Sequence, residues 1–258
     1  MKSDEEKNSI LETEHIDETS FGILMRSILA ENGMSEYVSD KNLHKFYLLA
    51  DYLRSENAKY NLTAVKDPEG IALLHIADSL TLASILPHNV TLLDVGAGGG
   101  FPSIPVAVAR PDVRITSLDA TAKKVRYIDS VADLLSLDNV TAVCGRAEDL
   151  CGGEFKGKFD YVTARAVSSL GMLCELCTPA LKVGGFFAAM KGEKAAEELI
   201  GYEKAEKKLN IKFKTLIPLE LSYSEEHLTR NILIFEKVRP TPPPYPRQYS
   251  RIKNDPLF

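Results

Sequence analysis

The chain has 258 residues, 45% of them hydrophobic and 26% charged, with a formal net charge of −5. That length suits one large domain or a main domain with a smaller companion, and the composition is that of an ordinary globular protein. A run of 18 apolar residues is missing, which argues against a membrane span. The acidic start "MKSDEEKNSILETEHIDETS" lacks the basic-then-apolar pattern of an export signal, so a cytoplasmic location is expected.

The charge is unevenly placed. Residues 1–20 hold seven acids and two lysines, which accounts for the whole net charge, whereas the last twenty hold four basic residues and one acid. A neutral body with a basic end can bind phosphates locally. Four cysteines (Cys144, Cys151, Cys174 and Cys177) are too few for a disulfide framework. "CELC" at 174–177 has metal-type spacing, but no second pair or histidine cluster answers it. These thiols read as small apolar core residues, and no metal is expected.

In chain order, residues 1–18 are polar and expected to be disordered. Residues 19–88 read as a helical unit. "FGILMRSILAENG" has apolar positions at helical spacing and stops at Asn32-Gly33. "DKNLHKFYLLADYLRSEN" puts Leu43, Phe46, Tyr47, Ala50 and Leu53 on one stripe. "DPEGIALLHIADSLTLASIL" opens with Asp67 as cap and Pro68 at the first helical position.

Residues 89–238 change to alternating strand and helix. Apolar strands read at 91–96, 114–119, 140–145, 159–165 and 184–191, with helices at about 102–110, 121–137, 168–181 and 193–209. That alternation predicts an α/β fold with a parallel sheet covered on both faces. Two further strands, 211–220 and 227–237, follow without a helix between them and predict an antiparallel pair. Residues 239–258 form a basic tail with six prolines among its last nineteen residues, which predicts an extended segment suited to lying along a partner. Five β/α units and a hairpin resemble the strand sequence of the Rossmann-like class I methyltransferases.

The stretch "DVGAGGGFP" (94–102) joins the first strand to a helix and is a candidate ligand turn. A P-loop needs Gly-Lys-Ser/Thr at its end, where Phe-Pro-Ser stands here. The dinucleotide fingerprint G-x-G-x-x-G would place its last glycine at Phe101. A carboxylate at Asp94, two residues before the first glycine, would repel a pyrophosphate but suits an ammonium and a sulfonium, the charges of S-adenosyl-L-methionine. Gly96 and Gly98 permit the torsions and close approach of the turn. Pro102 can begin the next helix, whose free N–H groups could receive the ligand's carboxylate.

Asp119 ends the next strand, 23 residues after Gly96, where an acid can accept both ribose hydroxyls of an adenosine or can serve as a helix cap. After the third strand comes "GRAEDL", in which either Glu148 or Asp149 could take an adenine amino group.

Seven marks in order give a family resemblance: "YNLTAV" (60–65), "HIADSL" (75–80), "LLDVGAGGGFPSIPVAV" (92–108), "RAEDL" (146–150), "ARAV" (164–167), "AAMKG" (188–192) and "YPR" (245–247). The chain resembles the bacterial small-subunit (16S) ribosomal RNA guanine-N7 methyltransferases, also called glucose-inhibited division protein B, from about Tyr60 to its end. The resemblance implies S-adenosylmethionine contacts at Gly96, Phe101, Ala147, Glu148 and Arg165, and favours Glu148 over Asp149. It also implies a small-subunit ribosomal RNA substrate, free or within the assembled or assembling subunit. Three departures stand out: Ser103 where a glycine is usual, Lys124 for a common arginine, and a tail that keeps Tyr-Pro-Arg but lacks the usual glycine and one basic residue beyond it.

Guanine N7 carries an in-plane lone pair and no proton at neutral pH, so its methylation requires no general base. Consistent with this, no Ser/His/Asp or Cys/His constellation stands out, and no catalytic residue is assigned. His75 and Asp78 lie three apart on a helix and share a face, as pocket wall or packing. Lys191, Arg230 and Arg247, with Arg251 and Lys253, are the candidates for contacts to RNA phosphates. Two other readings remain open: a methyltransferase of a small molecule or protein, and a non-catalytic RNA-binding assembly factor. A nicotinamide dehydrogenase is disfavoured at Asp94 and Phe101.

Overall fold

In a computed structural model, which describes residues 15–165 and 168–258, seven strands form one sheet in the order β3-β2-β1-β4-β5-β7-β6. The strands are β1 (Thr91–Val95), β2 (Arg114–Asp119), β3 (Val140–Cys144), β4 (Phe159–Arg165), β5 (Leu181–Lys191), β6 (Ile211–Tyr223) and β7 (Glu226–Lys237). The first five are parallel, and β7 runs antiparallel to both β5 and β6. This is the mixed sheet of a Rossmann-like class I methyltransferase. The order reverses between β1 and β4, and ligands of open α/β sheets bind beyond the strand ends at such a reversal.

Alternation along each strand sends its side chains to opposite faces. In β1, Leu92 belongs to the core on one face, and Leu93 and Val95 to the core on the other. The first core is covered by α1 (Glu18–Glu31), α2 (Asp40–Tyr60), α4 (Ser103–Ala109), α5 (Ala122–Leu134) and a three-part helical run, here α3. That run comprises Pro68–Gly70, a π-helical Ile71–Ala77 and Asp78–Ala83. The second core is covered by α6 (Ala147–Gly152), α7 (Leu170–Cys177), α8 (Ala195–Glu198), α9 (Glu203–Leu209) and α10 (Tyr249–Asn254).

Side-chain caps set the helix starts: Asp17, Ser39 and Asp67 accept from the backbone N–H groups of Ser20, Asn42 and Gly70. The N-terminal helices are fastened to the far end of the β6–β7 hairpin by Asn32. Its side-chain amide donates to Ser222 O at 2.7 Å, and its carbonyl oxygen accepts from Ser222 N at 2.8 Å.

Several sequence expectations change. The expected disorder of residues 1–18 falls outside the described residues for 1–14, as do the last two residues of "ARAV", but Ile16 is buried and Asp17 caps α1. One helix over 193–209 is replaced by α8 and α9, because Gly201 adopts a φ of +89° that no helix can carry through. The helix read at 168–181 shortens to α7 and a 3₁₀ turn at Thr178–Ala180, after which β5 starts earlier than expected. Two short helices, α6 and α10, were not foreseen. The tail is therefore folded onto the body: Ile252 and Leu257 are buried in the second core. Cys151, Cys174 and Cys177 are buried in the same core, and burial pushes the Cys151 thiol up to about 12 and the other two well up. Among the described residues no helix is long and apolar enough to cross a membrane.

Candidate cofactor and acceptor cavities

Two cavities open at the C-terminal ends of the parallel strands, one edged by Gly96 of the glycine turn and the other walled by His75, on which Phe101 of that turn stacks. The smaller, about 200 Å³, is bounded by Gly96, Asp119, Arg146, Ala147, Glu148 and Tyr249, over an apolar base that includes Leu118 and Leu176. The larger, about 660 Å³, is lined by His75, Asp78, Arg165, Lys191, Arg230 and Asn231, among others.

The turn itself is held by side chains and by glycine torsions. Gly96 and Gly98 adopt φ values of +78° and +58°, the left-handed region open to glycine. The Gly98 N–H donates to Asp119 Oδ2 at 3.0 Å, and the Thr121 N–H donates to Asp119 Oδ1 at 2.8 Å. Asp119 thus ties the end of β2 to the turn and to the start of α5. One lone pair on each oxygen is left over, and Lys124 Nζ stands 4.0 Å away.

Glu148 opens α6 and accepts from Arg146 Nε at 3.2 Å, whereas Asp149 is exposed and lines neither cavity. The short α6 is the reason. It points Ala147 and Glu148 back at the β2 end and Asp149 into solvent.

Asp94, the carboxylate expected to suit a cationic ligand, is fully buried and lines neither cavity. Being in register with Leu92 on the α1–α5 face, it lies under the start of α4, where Oδ2 accepts from the Ser103 N–H at 3.3 Å. Its Oδ1 has no hydrogen-bond partner among the described residues. Burial raises its pKa to about 6, opposed by Ser103 and the Arg165 charge. Asp94 thereby takes one of the helix-start N–H groups expected to be open to a ligand.

Phe101 is buried and stacks on His75, ring centroids 4.7 Å apart, with the Arg165 guanidinium 5.5 Å over its ring. Phe101 lines neither cavity, but it props up the wall of the larger one. His75 Nε2 lies 2.7 Å from Thr63 Oγ1. Burial, and then the Arg165 charge, lowers its pKa to about 4, so the ring is neutral near pH 7.

Asp78 joins two strands across this wall. Its Oδ2 accepts from Arg165 Nη1 at 2.8 Å and its Oδ1 from Arg230 Nε at 3.1 Å. The helical spacing of His75 and Asp78 showed that they share a face; the arginine partners, 87 and 152 residues further along, carried no local signal. Arg165 consequently stands in the larger cavity, apart from Gly96, Asp119, Ala147 and Glu148.

The expected phosphate anchors divide. Arg230 lines the larger cavity. Lys191 lines it too, but its ammonium donates to Glu198 Oε2 and Ser168 O, both at 2.7 Å, so it is no free anchor. Arg247, also expected at RNA phosphate, is instead occupied within the fold. It grips Glu175, which is fully buried, through Nε at 2.9 Å, Nη2 at 2.8 Å and its own backbone N–H at 2.8 Å. Arg251 and Lys253 are exposed on α10.

Residues 42–229 match the model of the GidB family, described as rRNA small subunit methyltransferase G. The chain belongs to this family. It is 36% identical over 237 residues to the ribosomal RNA small subunit methyltransferase G of Acetivibrio thermocellus, covering 90% of this chain and 97% of that one. With the protein of the same name from Deinococcus radiodurans it shares 41% identity over 217 residues, 83% of this chain and 85% of the other. Among solved structures, the TYW2 of P. horikoshii in complex with MeSAdo aligns with a TM-score of 0.51 at 13% identity, over 64% of this chain and 63% of that one. That likeness concerns the fold alone.

Proposed function

We propose that this member of the GidB family transfers a methyl group from S-adenosylmethionine to N7 of a guanine in small-subunit (16S) ribosomal RNA, in the cytoplasm. The observation that carries the reading is the pairing of two cavities across one glycine turn, the smaller edged by Asp119 and Glu148 and the larger spacious enough for a base. The donor set of the smaller cavity fits an adenosine. Asp119 retains lone pairs for ribose hydroxyls, Glu148 can accept from an exocyclic amino group, and the Ala147 backbone lies beside it. The orphaned, buried Asp94 Oδ1 places negative charge behind the turn, which suits a cation in front of it.

When bound, S-adenosylmethionine supplies a methyl group made electrophilic by its sulfonium. The protein's own task is alignment, which can contribute roughly 7–11 kcal/mol to a reaction of two bound partners. Gly96, Gly98 and Asp119 fix one side of the turn, and the Phe101–His75 stack fixes the other. No side chain must remove a proton from N7, and neutral His75 serves as a flat wall rather than a base.

Methylated guanine gains a positive charge, so a strongly cationic pocket would oppose its formation. Here Arg165, Arg230 and Lys191 are matched by Asp78 and Glu198, which leaves one net positive charge for RNA phosphate. In this reading residues 89–238 carry the cofactor, and the helical segment 19–88 contributes His75 and Asp78 to the acceptor cavity. The target base would have to leave its stack, which costs only a few kcal/mol in a loop or bulge.

The test is transfer of labelled methyl groups to undermethylated small ribosomal subunits and to the same RNA stripped of protein, with the modified base identified. Label at guanine N7 in either substrate supports the reading. Label only in protein or in a metabolite favours the other enzymatic reading, and no transfer alongside tight RNA binding favours an assembly factor.

A further inference from the structure

The smaller cavity contains a residue from an element that the class I sheet does not include. Tyr249, the first residue of α10 and 130 positions after Asp119 in the chain, forms part of its wall. The Arg146 guanidinium lies 4.8 Å from the centre of the Tyr249 ring, so two cavity residues are stacked on one another. Such a ring, with apolar Leu118 and Leu176 in the same cavity, offers the flat surface on which a purine packs.

Tyr249 owes its position to its neighbours. Arg247, two residues earlier, is locked to buried Glu175 and also donates through Nη2 to Asp255 O at 2.8 Å, closing the short helix on itself. Ile252 and Leu257 are buried in the second core. Two glycines receive the segment at close range: a Cβ at Gly152 would stand 2.9 Å from Pro246 Cδ, and one at Gly171 would stand 2.5 Å from Phe258 O. The segment is therefore seated at both ends, which holds the half-buried Tyr249 ring, with Arg146 against it, in the wall of the cavity.

We infer that Tyr249 is a cofactor-binding residue, its ring forming the aromatic wall of the adenine subsite, so that the C-terminal segment completes the cofactor cavity. The inference rests on the adenosine reading given under Proposed function. The ring recognises the adenine moiety and is indifferent to the sulfur. The same contribution therefore applies to S-adenosylmethionine, S-adenosylhomocysteine and 5′-methylthioadenosine.

Calorimetric titration of the full chain with S-adenosylhomocysteine and with 5′-methylthioadenosine tests this, without any methyl transfer. Tyr249→Phe, which keeps the ring, should bind both within about twofold of the parent, and Tyr249→Ala should bind both roughly tenfold more weakly. The chain has no tryptophan, so Tyr249→Trp creates a single reporter whose emission should be quenched on saturation. Equal affinity of Tyr249→Ala and the parent overturns the inference while leaving the cofactor reading intact. Failure of the parent chain to bind either ligand overturns both. Should Tyr249→Ala melt early, the tryptophan reporter decides: unchanged emission at saturating ligand overturns the inference.

Discussion

Asp78 Oδ2 and Arg165 Nη1 lie 2.8 Å apart at the rim of the larger cavity, and the other oxygen of the same carboxylate holds Arg230. One buried acid from α3 thus fixes side chains from the end of β4 and from within β7, on either side of β5. It sets both the shape and the charge of the proposed acceptor site. Asp78→Asn preserves the size of the side chain but leaves two arginines facing each other. We expect the unfolding free energy to fall by about 2 kcal/mol, less than for a fully buried pair because both arginines keep some solvent. Methyl transfer should drop more than tenfold. Urea denaturation and single-turnover kinetics measure the two effects, and unchanged stability would show the carboxylate to be dispensable for the wall.

Glu148 and Asp119 should separate in their effects. Asp119 holds two backbone N–H groups of the fold as well as lining the cavity, whereas among the described residues Glu148 accepts a side-chain hydrogen bond from Arg146 alone. Glu148→Ala should weaken S-adenosylhomocysteine binding roughly tenfold with little change in melting temperature. Asp119→Ala should lower both affinity and melting temperature. Calorimetry and thermal melting on the same samples provide the comparison, and full-affinity binding by Glu148→Ala would contradict its role.

Cofactor affinity should depend on pH through Asp94. Its folded pKa is raised from 3.8 to about 6, so the unliganded folded protein holds this proton more tightly than the unfolded chain. Its contribution to stability is therefore favourable at low pH and is lost as the pH rises through about 6. A cationic ligand prefers the ionised form, so affinity for S-adenosylmethionine should rise as the pH increases from 5 to 7. Asp94→Asn should flatten that rise. Titrations at several pH values test it, and an identical slope in the variant would sink the assignment.

Arg247 should prove to be a stability residue. Removing it strands Glu175, which is fully buried, and breaking such a pair costs about 3 kcal/mol or more. Arg247→Ala should therefore melt well below the parent, whereas Arg251→Ala, on the exposed face of α10, should not. A normal melting curve for Arg247→Ala combined with weakened RNA binding would restore the surface role expected from the tail's charge.

Much of the sheet was legible because its strands are short apolar runs interrupted by turns, and β2 and β4 match their expected bounds residue for residue. The glycine turn was legible for a related reason, since few arrangements other than a ligand turn place a carboxylate, four glycines and a proline between strand and helix. The spatial order of the strands was not, because it depends on crossovers that carry no local signature. Short helices were missed where polar composition resembled a loop, as in "GRAEDL", or where nearby prolines implied extension, as before Tyr249. Charged residues proved hardest. Lys191 and Arg247 look alike as isolated basic residues, and only the fold brings Glu198 to one and buried Glu175 to the other.

The measurement that bears most directly on the central claim is a crystal structure of the protein with S-adenosylhomocysteine. We expect the adenosine in the cavity between Asp119, Glu148 and Tyr249, with the sulfur directed past the glycine turn toward the cavity of Asp78 and Arg165. Adenosine density confined to the larger cavity, or a smaller cavity still closed by its own side chains at saturating ligand, would contradict the division of the site into donor and acceptor halves.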